Sequence, residues 1–363
     1  MVTSYTRSLV HNYGPSLCLS KNGNPRVLSV EVIELIADFL FQIHSPTPSE
    51  NVEHETICSI KPHYTEIAGF IGASPALHRI GFVRWVTVLT IRSLDDWDAA
   101  LSMRHLIREL ICPDGTILSE RQTILSEFPR LRALSIDNHD DVRCHATGMH
   151  PFAYRDVISS LPRSLLYLEI KHAHGPDANI IALVKRCCPD LETLWLGRCT
   201  MFNRTPACEF WTSFPFDHDS YISNEGTDAY ALSLGGELSS LRNLKLLRLG
   251  VYLVPSTAVL AHRIFHVQNM PAPPTIDWQT ALVPAPNENQ FGQNPQPPAP
   301  QISDLISVFH QEPEDNVCER CREESYSATQ IAEASASGIL KEAVPGLECV
   351  EWMNWFAPQH LGS

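Results

Sequence analysis

Cys188-Pro189-Asp190-Leu191-Glu192-Thr193-Leu194-Trp195-Leu196-Gly197-Arg198-Cys199 is the stretch from which the rest of the chain is understood. Leu194 and Leu196 are two apart, so in an extended strand both point to one face. Leu191 precedes them at the bend into the strand, and Cys199 follows three places on. Glu192, Thr193 and Trp195 take the remaining positions. Such a unit cannot bury its apolar face alone and requires neighbours of the same shape.

Those neighbours are present. Leu131-Arg132-Ala133-Leu134-Ser135-Ile136, Leu165-Leu166-Tyr167-Leu168-Glu169-Ile170, Leu244-Lys245-Leu246-Leu247-Arg248-Leu249 and Leu347-Glu348-Cys349-Val350-Glu351-Trp352 repeat the pattern, and Val86 to Ile91 is an early, weaker copy. The starts step from 131 to 165, 191, 244 and 347, so the third interval is close to two units and the fourth contains a large insertion. The L-x-x-L-x-L core with Cys199 at the Asn/Cys place resembles a leucine-rich repeat. That resemblance implies an α/β solenoid over 60–270, with parallel strands and helices on the convex side. The competing arrangement is a set of unrelated buried strands in an α/β domain.

The 363 residues carry a net charge of -14, with a pI near 5.5. That balance argues against nucleic acid and against an anionic membrane surface as partners. The 11 cysteines are an odd number without framework spacings, and Cys187 and Cys188 are adjacent. Reduced thiols packed in a core are expected, hence a cytoplasmic or nuclear protein. No basic region followed by an apolar run is seen near the N-terminus, and no stretch approaches about 18 consecutive apolar residues, so neither a secretory signal nor a transmembrane helix is expected.

Residues 1–25 lack periodicity and read as a loose arm. Over 26–45 the pattern becomes helical: Val32, Leu35, Ile36, Phe39 and Leu40 form one apolar stripe, Ser29 is the N-cap candidate, and Glu31 and Glu34 favour the helix start. Leu28-Ser29-x-Glu31-Val32-x-x-x-Ile36-x-x-x-Leu40 resembles the first half of an F-box, with Ser29 where that family usually has Pro. An F-box ahead of degenerate leucine-rich repeats is the layout of many fungal F-box proteins. The resemblance implies a non-catalytic subunit that recruits a protein substrate to a cullin-type ubiquitin ligase through a Skp-type adaptor. It divides Leu28, Val32, Ile36 and Leu40 between the F-box core and the adaptor-binding surface. The family's second half is a Cys-rich, Trp-containing helix. Here a polar stretch, 51–56, follows, and Trp85 is assigned to the first repeat strand.

Beyond that strand, Asp95 or Asp96 starts a helix whose apolar positions are Ala100, Leu101, Ile107, Leu110 and Ile111, ended by a turn at Cys112-Pro113-Asp114-Gly115. Asp177 to Cys187 reads as a helix with Ile180, Leu183, Val184 and Cys187 on one face. Residues 201–240 gather Phe202, Phe210, Trp211, Phe214, Phe216 and Tyr221, as a recognition loop or as rings capping the repeat core. Residues 271–301 are a Pro-rich disordered loop. Residues 302–363 hold a helix-prone run at 328–343, the last repeat and a cap of Trp352, Trp355 and Phe356.

No phosphate loop, nucleophile elbow, zincin or kinase motif occurs, so no enzyme class and no cofactor is indicated. Cys318-Glu319-Arg320-Cys321 is the sharpest short motif, but zinc requires four ligands and no second pair exists, so a metal- or thiol-dependent enzyme using Cys318 and Cys321 stands only as an alternative. Another is a repeat scaffold without adaptor binding. His139-Asp140-Asp141 with His145 and His150, and Asp217-His218-Asp219, read as ligand-rich loops that match no metal template.

Overall fold

The computed structural model describes residues 28–41, 56–117, 121–144, 152–154, 157–174, 177–199, 226–253 and 319–353. The arm at 1–25, most of 201–240 and all of 271–301 lie outside them. The chain divides into two compact units, Met1–Asp140 with Asp156–Ile170 and Ala182–Leu194, and Asp141–Arg155 with Lys171–Ile181 and Trp195–Ser363.

Three helices come first: α1 Val30–Leu40, α2 Tyr64–Ala73 and α3 Pro75–Trp85. Strands and helices then alternate: β1 Val88–Thr90, α4 Asp96–Ser102, β2 Glu109–Cys112, β3 Ala133–Asp137, a hairpin of β4 Val142–Cys144 and β5 Phe152–Tyr154, β6 Tyr167–Ala173, α5 Asp177–Cys187, β7 Thr193–Arg198, α6 Thr227–Leu238, β8 Leu246–Leu249, α7 Glu319–Ala343 and β9 Cys349–Trp352. Seven strands form one parallel sheet in the order β1-β2-β3-β6-β7-β8-β9, while β4 and β5 pair antiparallel apart from it. Each main-sheet strand therefore lies beside its predecessor in the chain, the hairpin excepted. The segments at 131–136, 165–170, 191–196 and 244–249 are four consecutive neighbours.

The register sets like apolar positions side by side in three strand pairs. Leu89 pairs with Leu110, Leu110 with Leu134, and Leu247 with Val350. Leu110, Leu134, Leu168, Leu194 and Leu247, the second apolar position of five copies, are wholly buried. Entry into the strands repeats too. Arg108 and Glu109 donate their N–H groups to Thr87 O, Arg132 and Ala133 to Arg108 O, Leu166 and Tyr167 to Arg132 O, Glu192 and Thr193 to Leu166 O, and Glu348 and Cys349 to Lys245 O. Before it, a tight turn runs from Phe128, Pro162, Cys188, Leu241 and Val344 to the residue three places on. Side-chain period and backbone hydrogen bonding thus fall in step from strand to strand.

Ile107-x-x-Leu110-x-Cys112 has the same spacing and ends in β2, where the apolar pattern predicts one helix. The helix stops at Ser102 and β2 begins at Glu109. Apolar residues at 107, 110 and 111 fit either period, and the free edge of β1 decides in favour of a strand. The turn after Cys112 is present, with Thr116 N–H donating to Pro113 O at 3.2 Å and Gly115 at φ +70°. Helix α5 spans the expected residues, but Ile181 rather than Ile180 joins Leu183 and Val184 in the core.

Trp85, expected in the first repeat strand, instead ends helix α3, with α2 before it. Their signals were local. Ser74 caps α3 through its hydroxyl, which accepts from Leu77 N, and Pro75 sits at the first helical position. Glu66 reaches back to His63 N at 3.0 Å. Helix α7 begins at Glu319, nine residues before the expected run.

Candidate functional site

Helix α1 presents the most unusual surface of the described residues. Ser29 caps it, its Oγ accepting from Val32 N at 3.4 Å. Ala37 and Phe41, four apart, are its buried residues, packed with Ile67 and Ile71 of α2 and flanked by Phe70, Ile80 and Trp85. Phe41 meets Phe70 edge-on at 5.7 Å between centroids. Gly81 of α3 makes room for Phe41: a Cβ there would sit 2.8 Å from Phe41 Cζ and 2.8 Å from Ile71 Cγ1. Arg84 of α3 clamps the outer edge, binding Glu34 and donating to Asp38 Oδ1 from Nε at 2.9 Å and from Nη2 at 2.7 Å.

With Ala37 and Phe41 facing inward, the predicted apolar stripe faces outward. Leu28, Val30, Val32, Leu35, Ile36, Phe39 and Leu40 are all exposed, from 36% at Leu40 to 78% at Phe39. Leu28, Val32, Ile36 and Leu40 are thus not divided between core and surface. The small Ala37 buries because it lets the helices approach closely, which no periodicity of large residues reveals. Six exposed apolar side chains on so short a helix, with Leu28 just before it, far exceed the scattered singles normal on a surface.

A second feature lies on the outward face of the strands. The chain entering α2 crosses that face: Thr56 Oγ1 donates to Glu169 Oε2 at 3.1 Å, Ser59 donates through N and Oγ to the two Glu109 oxygens at 2.6 and 2.8 Å, and Lys61 Nζ donates to Val88 O at 2.9 Å. Residues 56–61 therefore step from β6 to β2 to β1. Ala133, Ser135 and Glu169 on this face are buried. In the second unit, Arg248 stacks on the Trp195 ring at 4.7 Å and pairs with Glu351.

His139 is held by Asp137, Nδ1 to Oδ1 at 2.9 Å, on a 3₁₀ turn. Asp141 accepts from His174 N at 2.7 Å, and its other oxygen lies 2.8 Å from His174 Nδ1, with both side chains buried. His145, His150, Asp217, His218, Asp219 and Cys318 lie outside the described residues. Glu319 to Cys321 open α7 instead of forming the expected loop. No helix of the described residues is long and apolar enough to cross a membrane.

Cys58, Cys112, Cys188 and Cys199 are buried and in no disulfide, and Cys349 is exposed. Burial, with Cys58 beside it, pushes the Cys112 thiol far up. Burial, with Cys187 adjacent, pushes Cys188 up to about 12. The thiolate is the reactive form. Iodoacetamide at pH 8 should therefore modify Cys349 in the native protein and leave Cys112 and Cys188 unmodified until denaturant is added, as peptide mass spectrometry will show. Native modification of Cys112 or Cys188 at the rate of Cys349 would contradict this packing.

No family model, no curated protein and no solved structure matches this chain.

Proposed function

We propose that this chain is a non-catalytic substrate-recognition subunit of a cullin-type ubiquitin ligase, with α1 docking a Skp-type adaptor and a leucine-rich-repeat-like solenoid presenting the substrate surface. The observation that carries the proposal is the α1 face: six exposed apolar residues, with Leu28 just before them, on a helix anchored from behind by Ala37, Phe41 and Arg84. A helix held rigidly with its apolar side outward suits a helical partner that covers it. The F-box-like pattern from Leu28 to Leu40 names that partner. Two further observations support the reading. Trp85 ends a helix packed with α1, so a Trp-containing helix does follow the first half of the pattern, farther along the chain than the family places it. The strands repeat one register with one backbone entry pattern.

The substrate surface follows by elimination within the first unit. Residues 56–61 already occupy the outward strand face there, so the open strand positions are those of the second unit around Trp195 and Arg248. A stacked Arg and Trp is the kind of pair that dominates protein interfaces.

The test is capture of a purified Skp-type adaptor by the full chain. Wild type retains the adaptor, and Leu28→Asp with Ile36→Asp weakens retention at least about 100-fold, since two buried apolar contacts become two buried charges. Both residues are exposed in the free chain, so the variant melts at the wild-type temperature. Failure of the wild type to bind removes the adaptor role and leaves a repeat scaffold.

A further inference from the structure

We propose that the cleft beside the first strand of the sheet binds a short-chain carboxylic acid, its carboxylate between Lys61 and Arg92 and its hydrocarbon chain on Leu89, Ala99 and Met103. The cleft has a volume of about 370 Å³ and is lined also by Tyr64, Trp85, Thr90 and Asp96. All of these residues belong to the first compact unit.

The repeat explains why a cavity stands here. Leu89 pairs with Leu110 and holds the place that is wholly buried at Leu110, Leu134, Leu168, Leu194 and Leu247. Among the described residues no strand precedes β1, and Leu89 is only half-buried. Helices α2 and α3 cover this end incompletely. Tyr64 and Trp85, rings edge-on at 5.9 Å, make one wall, and Ala99 and Ala100 of α4 with Met103 just after it make the other. The small residues at 99 and 100 leave the apolar floor open.

The charges at the mouth have one sign in excess. Lys61 Nζ lies 3.9 Å over the Trp85 ring and donates to Val88 O. Among the described residues the Arg92 guanidinium has no carboxylate partner. Asp96 is the only acid of the lining, and its Oδ2 accepts from the backbone N–H groups of Arg92 at 2.8 Å and Ser93 at 3.1 Å. Burial, and then the charge of Arg92, hold the Lys61 ammonium down to about 8. A carboxylate between the two cations relieves their repulsion and restores the solvation that Lys61 lost. Phosphate meets the cations but has nothing to lay on the floor; an uncharged alcohol covers the floor but leaves the cations unmet.

The experiment is calorimetric titration of the full chain at pH 7 with hexanoate, 1-hexanol and inorganic phosphate. Hexanoate binds saturably, and the other two bind at least about tenfold more weakly, the usual weight of one charge-assisted hydrogen bond or of a few buried methylenes. Arg92→Gln, at an exposed position, weakens hexanoate about tenfold. Ala99→Leu, which fills the floor, abolishes binding. Raising the pH from 7 to 9 weakens wild-type binding as Lys61 loses its proton and leaves Lys61→Met unaffected. That control is needed because Tyr64, Arg92 and Asp96 also face the cleft, with His63 beside it. Absence of saturable hexanoate binding, equal binding of 1-hexanol, or unchanged affinity in both Arg92→Gln and Ala99→Leu would overturn the proposal.

Discussion

Leu194→Ala is expected to lower the unfolding free energy by about 3 kcal/mol, the middle of the range for truncating a wholly buried leucine. Leu194 is 0% exposed and lies on a strand with a partner strand on each side. The cavity left behind cannot collapse, because the flanking copies Leu168 and Leu247 are held by their own strands. Leu134→Ala, at the equivalent place in β3, is expected to cost as much. Val350→Ala, at the same place in the last strand, is expected to cost under about 1 kcal/mol, since Val350 is half-buried and offers less to lose. Urea unfolding followed by circular dichroism will give the three values, with the midpoint shifted and the slope unchanged. Equal losses at Val350 and Leu194 would show that the copies do not stack with an interior and an end. Losses under about 1 kcal/mol at both leucines would show that these strands do not share a packed core.

Gly81→Val is expected to detach α1 while leaving the sheet folded. The first carbon added at Gly81 falls 2.8 Å from Phe41 Cζ and 2.8 Å from Ile71 Cγ1, closer than real Cβ contacts come. Phe41 is a stiff ring wedged among Ala37, Ile67 and Ile71, so it cannot step aside without leaving the cluster. Overpacking of this kind costs about 1–3 kcal/mol, and that cost falls on a small cluster. The Arg84 clamp does not offset it, because exposed ion pairs contribute only about 0–1 kcal/mol. Hydrogen exchange should show α1 amides losing protection while β3 and β7 keep theirs. Adaptor capture should fall with α1, since the apolar face needs its anchor to be presented. Unchanged protection of α1 in Gly81→Val would mean that Phe41 is not its anchor.

Comparison of these elements with the residues that encode them shows where local pattern suffices. The strands β3, β6, β7, β8 and β9 were legible because period-two leucines recur behind the same short turn, and each copy confirms the others. Strand β2 was not, because Ile107, Leu110 and Ile111 satisfy a helical spacing as well as an extended one. Helix α1 was legible in its span and cap, Ser29 to Leu40, but not in its orientation. Its large apolar residues suggested the core, whereas Ala37 and Phe41 make the core and leave the large residues outside. Of the carboxylic acid cleft, Lys61, Tyr64, Arg92 and Met103 are scattered over 43 positions and share no motif. They meet at the first strand, which has no strand before it among the described residues.

The amino-acid sequence by itself determined the repeating strand, its turn and the capped amphipathic helix, because each depends on residues within a few places of one another, where spacing and backbone geometry are tied. Only the tertiary structure decided which side of α1 faces solvent, which stretch lies across the strands, and where the first strand leaves its leucine half-covered. Those outcomes depend on the volume and charge that distant segments bring to the same place, and sequence spacing carries no record of that.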